Sequence, residues 1–171
     1  IFEDAKRRDF SINAIYCEQD GTILDPLDGI ADIVGKRIKF IGDPYARIKE
    51  DYLRILRFFR FLALFGKKDE PYEIEIAALN DLRDGLDTVS AERKSDEILK
   101  LFAAPNLKYS IFLMEKANIC SKIFDTYDYE SIKNLEKLEN QLEVAPCAAR
   151  RLAAYTDDNL KSHLRFSNKI A

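Results

Sequence analysis

Three arginines recur at every third position within one apolar segment of the sequence. They are Arg54, Arg57 and Arg60, and leucine and phenylalanine residues stand between them. At about 100° per residue, one side of a helix carries Ile55, Phe58, Phe59 and Leu62, which we predict to be its core face. A guanidinium among so many apolar neighbours needs a buried acidic partner or an anionic ligand. The arginines therefore have either a structural or a binding role.

An acidic residue, Asp51, lies one turn before Arg54 and could hold its guanidinium in a bidentate pair. Such a pair offers donors and acceptors along one planar edge, as a nucleobase does, so it could read a base. Arg57 and Arg60 could then neutralise a triphosphate. The same spacing is also typical of a salt-bridge ladder between packed helices, and spacing alone favours that structural interpretation.

The elements that must position these residues fall into two groups. In the first forty residues, two short β-prone runs (Ala14–Glu18 and Thr22–Asp25) flank Asp20-Gly21, which is a hairpin signal. A further strand is predicted at Arg37–Ile41. The predicted helices are Asp9–Ala14, Ile30–Gly35, Lys49–Phe65, Glu73–Leu86, Ser90–Phe102, Asn106–Ala117, Tyr129–Leu142 and Ala148–Ala154. We therefore expect a small mixed α/β part joined near Gly42 to an all-helical part.

The composition limits the class of protein. The 171 residues carry 27 Lys and Arg against 30 Asp and Glu, a formal net charge of −3, so no global basic field attracts nucleic acid. A content of 47% hydrophobic and 33% charged residues is typical of a soluble globular protein. No apolar stretch approaches the roughly 18 residues of a membrane span, so no membrane partner is expected. Any nucleotide or RNA site must come from local clustering of basic side chains.

Cysteine and histidine usage argues against several kinds of site. Cys17, Cys120 and Cys147 are widely spaced and form no CxxC pair, which argues against a zinc site or a disulfide framework and favours a reducing, cytoplasmic location. The single histidine, His163, argues against a histidine-based metal site or catalytic triad. We expect all four residues to be structural or incidental.

Several segments, in order, resemble the motif set of one enzyme family. They are RRDFSINAIY at Arg7–Tyr16, DPLDGIADI at Asp25–Ile33 and EDYLRILRFFRF at Glu50–Phe61, and AERKSDEILKLF at Ala91–Phe102 is similar to a fourth motif. Together they resemble the class II tRNA nucleotidyltransferases (CCA-adding enzymes) and the bacterial poly(A) polymerases, over about residues 1–120. The resemblance implies a nucleotidyltransferase head, a helical neck that selects the incoming nucleotide, and a helical body and tail that hold tRNA.

The resemblance implies roles for three residues of the first motif. Arg8 would contact the nucleotide phosphate or sugar, Asp9 would hold the ribose hydroxyl, and Asn13 would brace the turn. The alternative is that Arg7, Arg8 and Asp9 form only a solvated helix start.

It also implies roles for the arginine helix. Asp51 and Arg54 would pair with the Watson–Crick edge of ATP or CTP, and Arg57 and Arg60 would complete the pocket. The interpretation as a nucleotide site thus depends on the motifs that precede the helix.

Two other groups of charged residues are left with alternatives. Asp25, Asp28 and Asp32 are possible magnesium ligands, but the family's metal ligands lie upstream, which favours turn-forming and neck-joining roles here. Lys36, Arg37 and Lys39 are either a solvated strand face or an RNA contact.

The family's Gly-rich strand and Asp-x-Asp pair, which binds two Mg²⁺ ions, do not occur in this sequence. The resemblance implies that both lie upstream of Ile1, so no catalytic residue or metal ligand is predicted in this chain. Because phosphoryl transfer of this type rests on two metals, we expect the chain alone to bind nucleotide weakly and to be inactive unless a separate chain supplies the head. Since the first residue is not Met, we expect a fragment or the distal product of a split gene.

The sequence therefore predicts a mostly α fold with a small α/β remnant of a nucleotidyltransferase head, followed by an all-helical neck and body. The expected divisions are 1–42 (head), 43–105 (neck) and 106–171 (partial body). The expected substrates are ATP, CTP and the 3′ end of tRNA or another RNA, with Mg²⁺ as cofactor. The alternatives are an inactive nucleotide- or RNA-binding remnant, one subunit of a split enzyme, and a purely structural helical domain. CCA addition, poly(A) addition and the oligomeric state are not distinguished by sequence.

Overall fold

The computed structural model describes residues 1–68 and 70–157, and helices dominate that part of the chain. Its first part holds α1 (Phe2–Ala5), a 3₁₀ turn (Ser11–Asn13), the antiparallel strands β1 (Tyr16–Cys17) and β2 (Ile23–Leu24), and α2 (Gly29–Gly35). The later elements are α3 (Pro44–Glu50), α4 (Arg54–Phe65), α5 (Glu73–Asp81), a 3₁₀ segment (Arg83–Thr88), α6 (Ala91–Phe102), α7 (Leu107–Lys116), α8 (Cys120–Ile123), α9 (Tyr129–Gln141) and α10 (Ala148–Tyr155). The predicted fold class, mostly α with a small α/β part, is confirmed.

The predicted hairpin forms, although its strands are only two residues long. Tyr16 pairs with Leu24. The turn is held by the Asp20 carboxylate, which accepts the Thr22 N–H at 2.9 Å, and by Gly21, whose φ of 88° suits a residue without a Cβ.

The prediction of a single helix over Lys49–Phe65 is wrong, because the helix is interrupted at Asp51. Asp51 has an extended backbone (φ −159°, ψ 107°) that ends α3. Its side chain accepts the Leu53 N–H at 3.1 Å, and its carbonyl accepts the Arg54 N–H at 3.0 Å. Local bonds of this kind compete with the helical ladder, so α4 starts afresh at Arg54.

Three further predicted elements differ from those observed. The strand predicted at Arg37–Ile41 is reduced to one bridge between Phe10 and Phe40, although Ile38 and Phe40 are buried. The helix predicted at Asp9–Ala14 is only the 3₁₀ turn, since Asp9 takes the Phe10 N–H and the Asn13 amide. The helix predicted to reach Leu86 ends at Asp81, where the 3₁₀ segment takes over.

The hydrophobic core centres on α4, which packs on α6 and α7. Its predicted core face is confirmed, since Ile55, Phe58, Phe59 and Leu62 are all buried. The core continues across the predicted boundary near Gly42. The rings of Phe10 and Phe40 are 4.8 Å apart, and Phe40 stacks on Phe58 at 5.7 Å. Residues from both sides of Gly42 therefore share one core, while the divisions at 42 and 105 stay predictions.

No helix among the described residues is both long enough and apolar enough to cross a membrane.

Candidate functional site

A pocket of about 270 Å³ lies where the start of the chain, the break at Asp51 and the beginning of α6 meet. Its lining residues are Arg7, Arg8, Asp9, Asn13, Asp51, Leu53, Arg54, Arg57 and Arg93. Five arginines against two aspartates give this pocket a local excess of positive charge in an acidic chain. An anionic ligand is therefore the kind that its lining favours.

Six of the seven residues proposed from the sequence line this pocket, and Arg60 does not. Arg60 turns to α6, where its Nε lies 3.0 Å from Glu97 Oε2. Both side chains are nearly buried, and the contact is between charges, since neither atom makes a hydrogen bond among the described residues. Burial lowers the pKa of Arg60, and the charge of Glu97 opposes that shift. The structural interpretation of the arginine stripe thus holds for Arg60.

Asp9 is the buried anion of the pocket, with 4% of its surface exposed. Its Oδ1 accepts the Phe10 N–H and the Asn13 amide, each at 3.1 Å, and its Oδ2 accepts from Arg57 Nε. Burial alone would raise the pKa of Asp9, but the hydrogen bond and charge of Arg57 outweigh it and hold the pKa below its usual value. The Asn13 side chain thus helps to hold the buried carboxylate of Asp9 in place.

Arg57 lies between two acids. Besides its bond to Asp9, its Nη1 is 3.9 Å from Glu97, and its guanidinium lies 5.5 Å from the ring of Phe61. Burial would lower the pKa of Arg57, but Asp9 and Glu97 together raise it. Arg57 is therefore a fixed cation at the pocket wall.

The predicted pairing of Asp51 with Arg54 is wrong. Arg54 Nη1 donates to Glu50 at 2.6 Å and to the Arg47 carbonyl at 2.8 Å, and its Nη2 donates to the Arg7 carbonyl at 3.1 Å. Asp51 instead accepts from Arg93 Nη2 at 2.7 Å. The extended backbone at Asp51 removes the helical register in which the two side chains would have met.

Two arginines at the start of the chain differ in their partners. The guanidinium of Arg8 donates to Asp4, to the Tyr16 hydroxyl and to the Asn13 carbonyl, and the bonds to Asp4 and then to Tyr16 raise the pKa of Arg8. Arg7 is exposed, and the one hydrogen bond that its side chain makes in the described part of the chain goes to the Glu3 carbonyl. With no carboxylate partner there, Arg7 is the pocket's most available cation.

Sequence reasoning missed three of the lining residues, Arg7, Leu53 and Arg93, as well as Glu97 behind them. Arg93 and Glu97 lie four residues apart on α6, within the segment that resembles the fourth motif. That segment was the available signal, and its spacing of four already puts both side chains on one helix face.

The remaining charged candidates lie outside the pocket. Asp25 accepts the N–H groups of Gly29 and Ile30 at 2.7 and 2.8 Å, which confirms its turn-forming role. Asp32 accepts from the Ser11 hydroxyl and pairs with Arg37. Asp28 takes a left-handed backbone (φ 57°) just before α2.

No group of three or more His, Cys, Asp or Glu side chains within the described ranges could hold a metal ion. The three cysteines are free, and burial raises the pKa of the Cys120 thiol to about 12. His163 lies outside the described residues. Lys36, Arg37 and Lys39 are exposed, and both alternatives for them, a solvated face and an RNA contact, stay predictions.

Comparison with known proteins agrees with this geometry. The family model described as "Poly A polymerase head domain" matches residues 1–39, and the one described as "Probable RNA and SrmB- binding site of polymerase A" matches residues 75–130. The CCA-adding enzyme of Leuconostoc citreum is 39% identical over 119 residues, which are 70% of this chain and 29% of the relative. The mitochondrial CCA tRNA nucleotidyltransferase 1 of Mus musculus is 34% identical over 122 residues, 71% of this chain and 28% of the relative.

Solved structures give the same result. The Bacillus stearothermophilus CCA-adding enzyme in complex with CTP is 32% identical, with a TM-score of 0.63 over 70% of this chain and 30% of that one. The Thermotoga maritima CCA-adding enzyme complexed with tRNA is 20% identical, with a TM-score of 0.69 over 98% of this chain and 45% of that one, and shows the shared fold alone. The chain spans roughly a third of the curated relatives it matches. By these matches and its motifs, the chain belongs to the family of CCA-adding nucleotidyltransferases and poly(A) polymerases.

Proposed function

We propose that the pocket binds a ribonucleoside triphosphate, ATP or CTP, which an enzyme of this family adds to the 3′ end of tRNA or another RNA. The observation that carries the proposal is that six motif residues, from two separate stretches of the chain, meet in one arginine-rich pocket. The relative solved in complex with CTP supports the same ligand class.

The phosphates are best matched by the cations at the rim and wall of the pocket. Arg7 has no carboxylate partner in the described ranges, and Arg8 and Arg57 are held in place by their acids. Guanidinium groups bind phosphate oxygens through planar, charge-assisted hydrogen bonds. Asp9 keeps acceptor capacity on Oδ2, where the described residues give it one donor, so it can still accept from a ribose hydroxyl.

The base is best matched by Asp51 and Arg54, acting as separately held groups. Hydrogen bonds within the described part of the chain use three of the five N–H groups of Arg54, so two can serve a ligand. Each oxygen of Asp51 accepts one bond there, from Leu53 or Arg93, and each keeps one acceptor position. Donors and acceptors for a base edge are therefore present without an Asp51–Arg54 pair.

Catalysis is proposed to require carboxylates outside the described residues, on the same polypeptide or on a separate one. In that arrangement this chain selects the nucleotide and contacts RNA, and the missing carboxylates hold Mg²⁺. A cytoplasmic location is part of the same proposal, and the free cysteines are compatible with it.

A binding measurement tests the proposal. Titration calorimetry of the chain with ATP and with CTP at low ionic strength should give saturable binding. Arg57→Gln should weaken it by roughly tenfold or more, the value of a charge-assisted hydrogen bond. Lys133→Gln removes the same charge from an exposed site on α9 and serves as the matched control. Equal losses in both variants would show non-specific attraction and reject the pocket.

An incorporation assay tests the division of labour. The chain is incubated with labelled ATP or CTP and tRNA lacking its 3′ end, with and without a polypeptide carrying a family head with its Asp-x-Asp pair. Incorporation is expected only when both are present. Incorporation by this chain alone would contradict the assignment of the carboxylates to residues elsewhere.

A further inference from the structure

The turn that contains Asp51 packs against a glycine, Gly85, through the ring of Tyr52. Tyr52 lies between two pocket residues, Asp51 and Leu53, and its half-buried ring is seated against Gly85 of the 3₁₀ segment. A Cβ placed on Gly85 would enter the ring of Tyr52, so no other residue fits there while the ring keeps its place. The backbone of Gly85 is not in the left-handed region, so this close approach alone calls for glycine.

The segment under the ring is itself held firmly. The Gly85 N–H donates to the Leu82 carbonyl at 3.0 Å, and the Gly85 carbonyl accepts from the Thr88 hydroxyl at 2.7 Å. On either side, Asp84 and Asp87 form exposed ion pairs with Lys122 of α8 at 3.1 and 2.7 Å, which add little to this support. Leu86 anchors the segment in the core with 1% exposure. Gly85 therefore stays in place when the contact changes, and Tyr52 is the partner that moves.

A displaced Tyr52 must move its neighbours. The Asp51 side chain bonds to the Leu53 N–H, and the Asp51 carbonyl bonds to the Arg54 N–H, so the turn moves as one piece. Its other external supports are the ion pair between Asp51 and Arg93, which is half exposed and so weak on its own, and the side chain of Leu53, which is buried in the core. The packing of Tyr52 on Gly85 is thus, together with the buried Leu53, an apolar contact that fixes where Asp51 faces the pocket.

We infer that Tyr52 and Gly85 are positioning residues that set the place of Asp51 and thereby the choice of nucleobase. The inference rests on the proposed nucleotide-binding function of the same pocket. Neither residue lines the pocket, so both act through Asp51 and Leu53. A change at either should alter the discrimination among bases more than the attraction for phosphate, which the arginines provide.

The test compares binding of ATP, CTP, GTP and UTP to Gly85→Ala and to Gly35→Ala. Gly35 is the matched control, since an added Cβ there meets only the flexible end of Arg37, at 3.3 Å. In Gly85→Ala, the preference for ATP and CTP should fall by roughly threefold to tenfold, the value of one displaced hydrogen bond. Binding of inorganic triphosphate should stay at the wild-type level. Unchanged discrimination in a folded Gly85→Ala variant would overturn the inference.

Substitutions at Tyr52 keep the test decisive if Gly85→Ala fails to fold. Tyr52→Phe keeps the ring and should keep the discrimination, whereas Tyr52→Leu should lose it. If Tyr52→Leu discriminates as well as wild type, the ring has no positioning role. In the Tyr52→Leu background, Gly85→Ala should add little, because the ring that its Cβ would strike is gone.

A second readout separates this inference from the proposed function. The backbone amide resonances of Asp51 and Leu53 should shift in Gly85→Ala and not in Gly35→Ala, with no nucleotide present. If wild type bound no nucleotide but these amides moved, the proposed function would fail while the positioning contact stood. Unmoved amides would reject the positioning contact whatever the nucleotide binding.

Discussion

At the scale of single residues, the account depends on which acid each arginine meets. Arg57 meets Asp9 at the pocket and Arg60 meets Glu97 behind it. The sequence shows both arginines in one stripe, and it cannot distinguish them because their partners lie far away along the chain. Asp9 and Arg57 are 48 residues apart in the sequence, and Asp51 and its partner Arg93 are 42 residues apart. Regular spacing predicts a need for partners but not their identity.

The buried acid Asp9 should make stability depend on pH. Its folded pKa lies below the usual value of about 3.9, so its contribution is complete above that value and is lost as the pH falls through the folded pKa. Asp9→Asn should therefore flatten the acid side of a plot of unfolding free energy against pH. It should also lower the free energy of unfolding near neutral pH by about 3 kcal/mol, because Arg57 loses its nearly buried partner. Urea unfolding from pH 7 to the acid limit measures both, and an unaltered acid slope would contradict the assignment.

Substitutions of Arg60 and Arg57 should have different effects on the free energy of unfolding and on ATP affinity. Arg60→Gln removes a nearly buried cation beside Glu97, so the free energy of unfolding should fall by about 1–3 kcal/mol, while ATP affinity stays near that of wild type. Arg57→Gln should reduce the affinity. If Arg60→Gln weakened ATP binding as much as Arg57→Gln did, the structural role of Arg60 would be wrong.

At the scale of elements, the sequence pattern predicted the features that depend on interactions between residues close together in the chain. The core face of α4, the Asp20-Gly21 hairpin and the helix start at Ser90 could all be read from the sequence, since each depends on neighbouring residues. The break at Asp51 could not, because the helical pattern continues through it. The break is stabilised by the local bond between the Asp51 side chain and the Leu53 N–H. It is also contacted by two residues distant in sequence, Arg93, which donates to Asp51, and Gly85, which lies against Tyr52.

The N-terminus of α6 offers a test at this scale. Ser90 Oγ accepts the Arg93 N–H at 3.4 Å and so caps the helix that carries Arg93 and Glu97. Ser90→Ala should lower the free energy of unfolding by about 0.5–1 kcal/mol, and Ser90→Asp should restore it, since aspartate also caps and favours the helix dipole. Chemical unfolding of the three proteins gives the comparison. No loss in the alanine variant would argue against the cap.

At the scale of the whole molecule, the head-like part and the helical part share one core. The sequence suggested a boundary near Gly42 from the change in element type, but the rings of Phe10, Phe40 and Phe58 cross it. Ser11 and Ile41 also exchange backbone bonds with Lys39 and Asp9, which fixes the pocket's first motif against the start of the helices. The pocket thus depends on a core that the element pattern alone does not reveal.

The shared core predicts a joint response to one substitution. Phe58→Ala should lower the free energy of unfolding by about 3–5 kcal/mol, and it should lower hydrogen-exchange protection equally for the Ser11 and Ile41 amides and for the amides of α4. Leu138→Ala is the control, because Leu138 is half exposed on α9. A loss of protection confined to α4 would show that the first forty residues form an independent unit.

The central claim is that this arginine-rich pocket is the nucleotide site, and arginine side-chain NMR tests it most directly. The Nε–H resonances of the chain are followed during titration with ATP. Those of Arg54, Arg57 and Arg93 should shift together and saturate, while those of Arg37 and Arg150, both outside the pocket, should stay in place. Saturable shifts at Arg37 or Arg150 with none at Arg57, or no shift at any arginine at saturating ATP, would contradict the account.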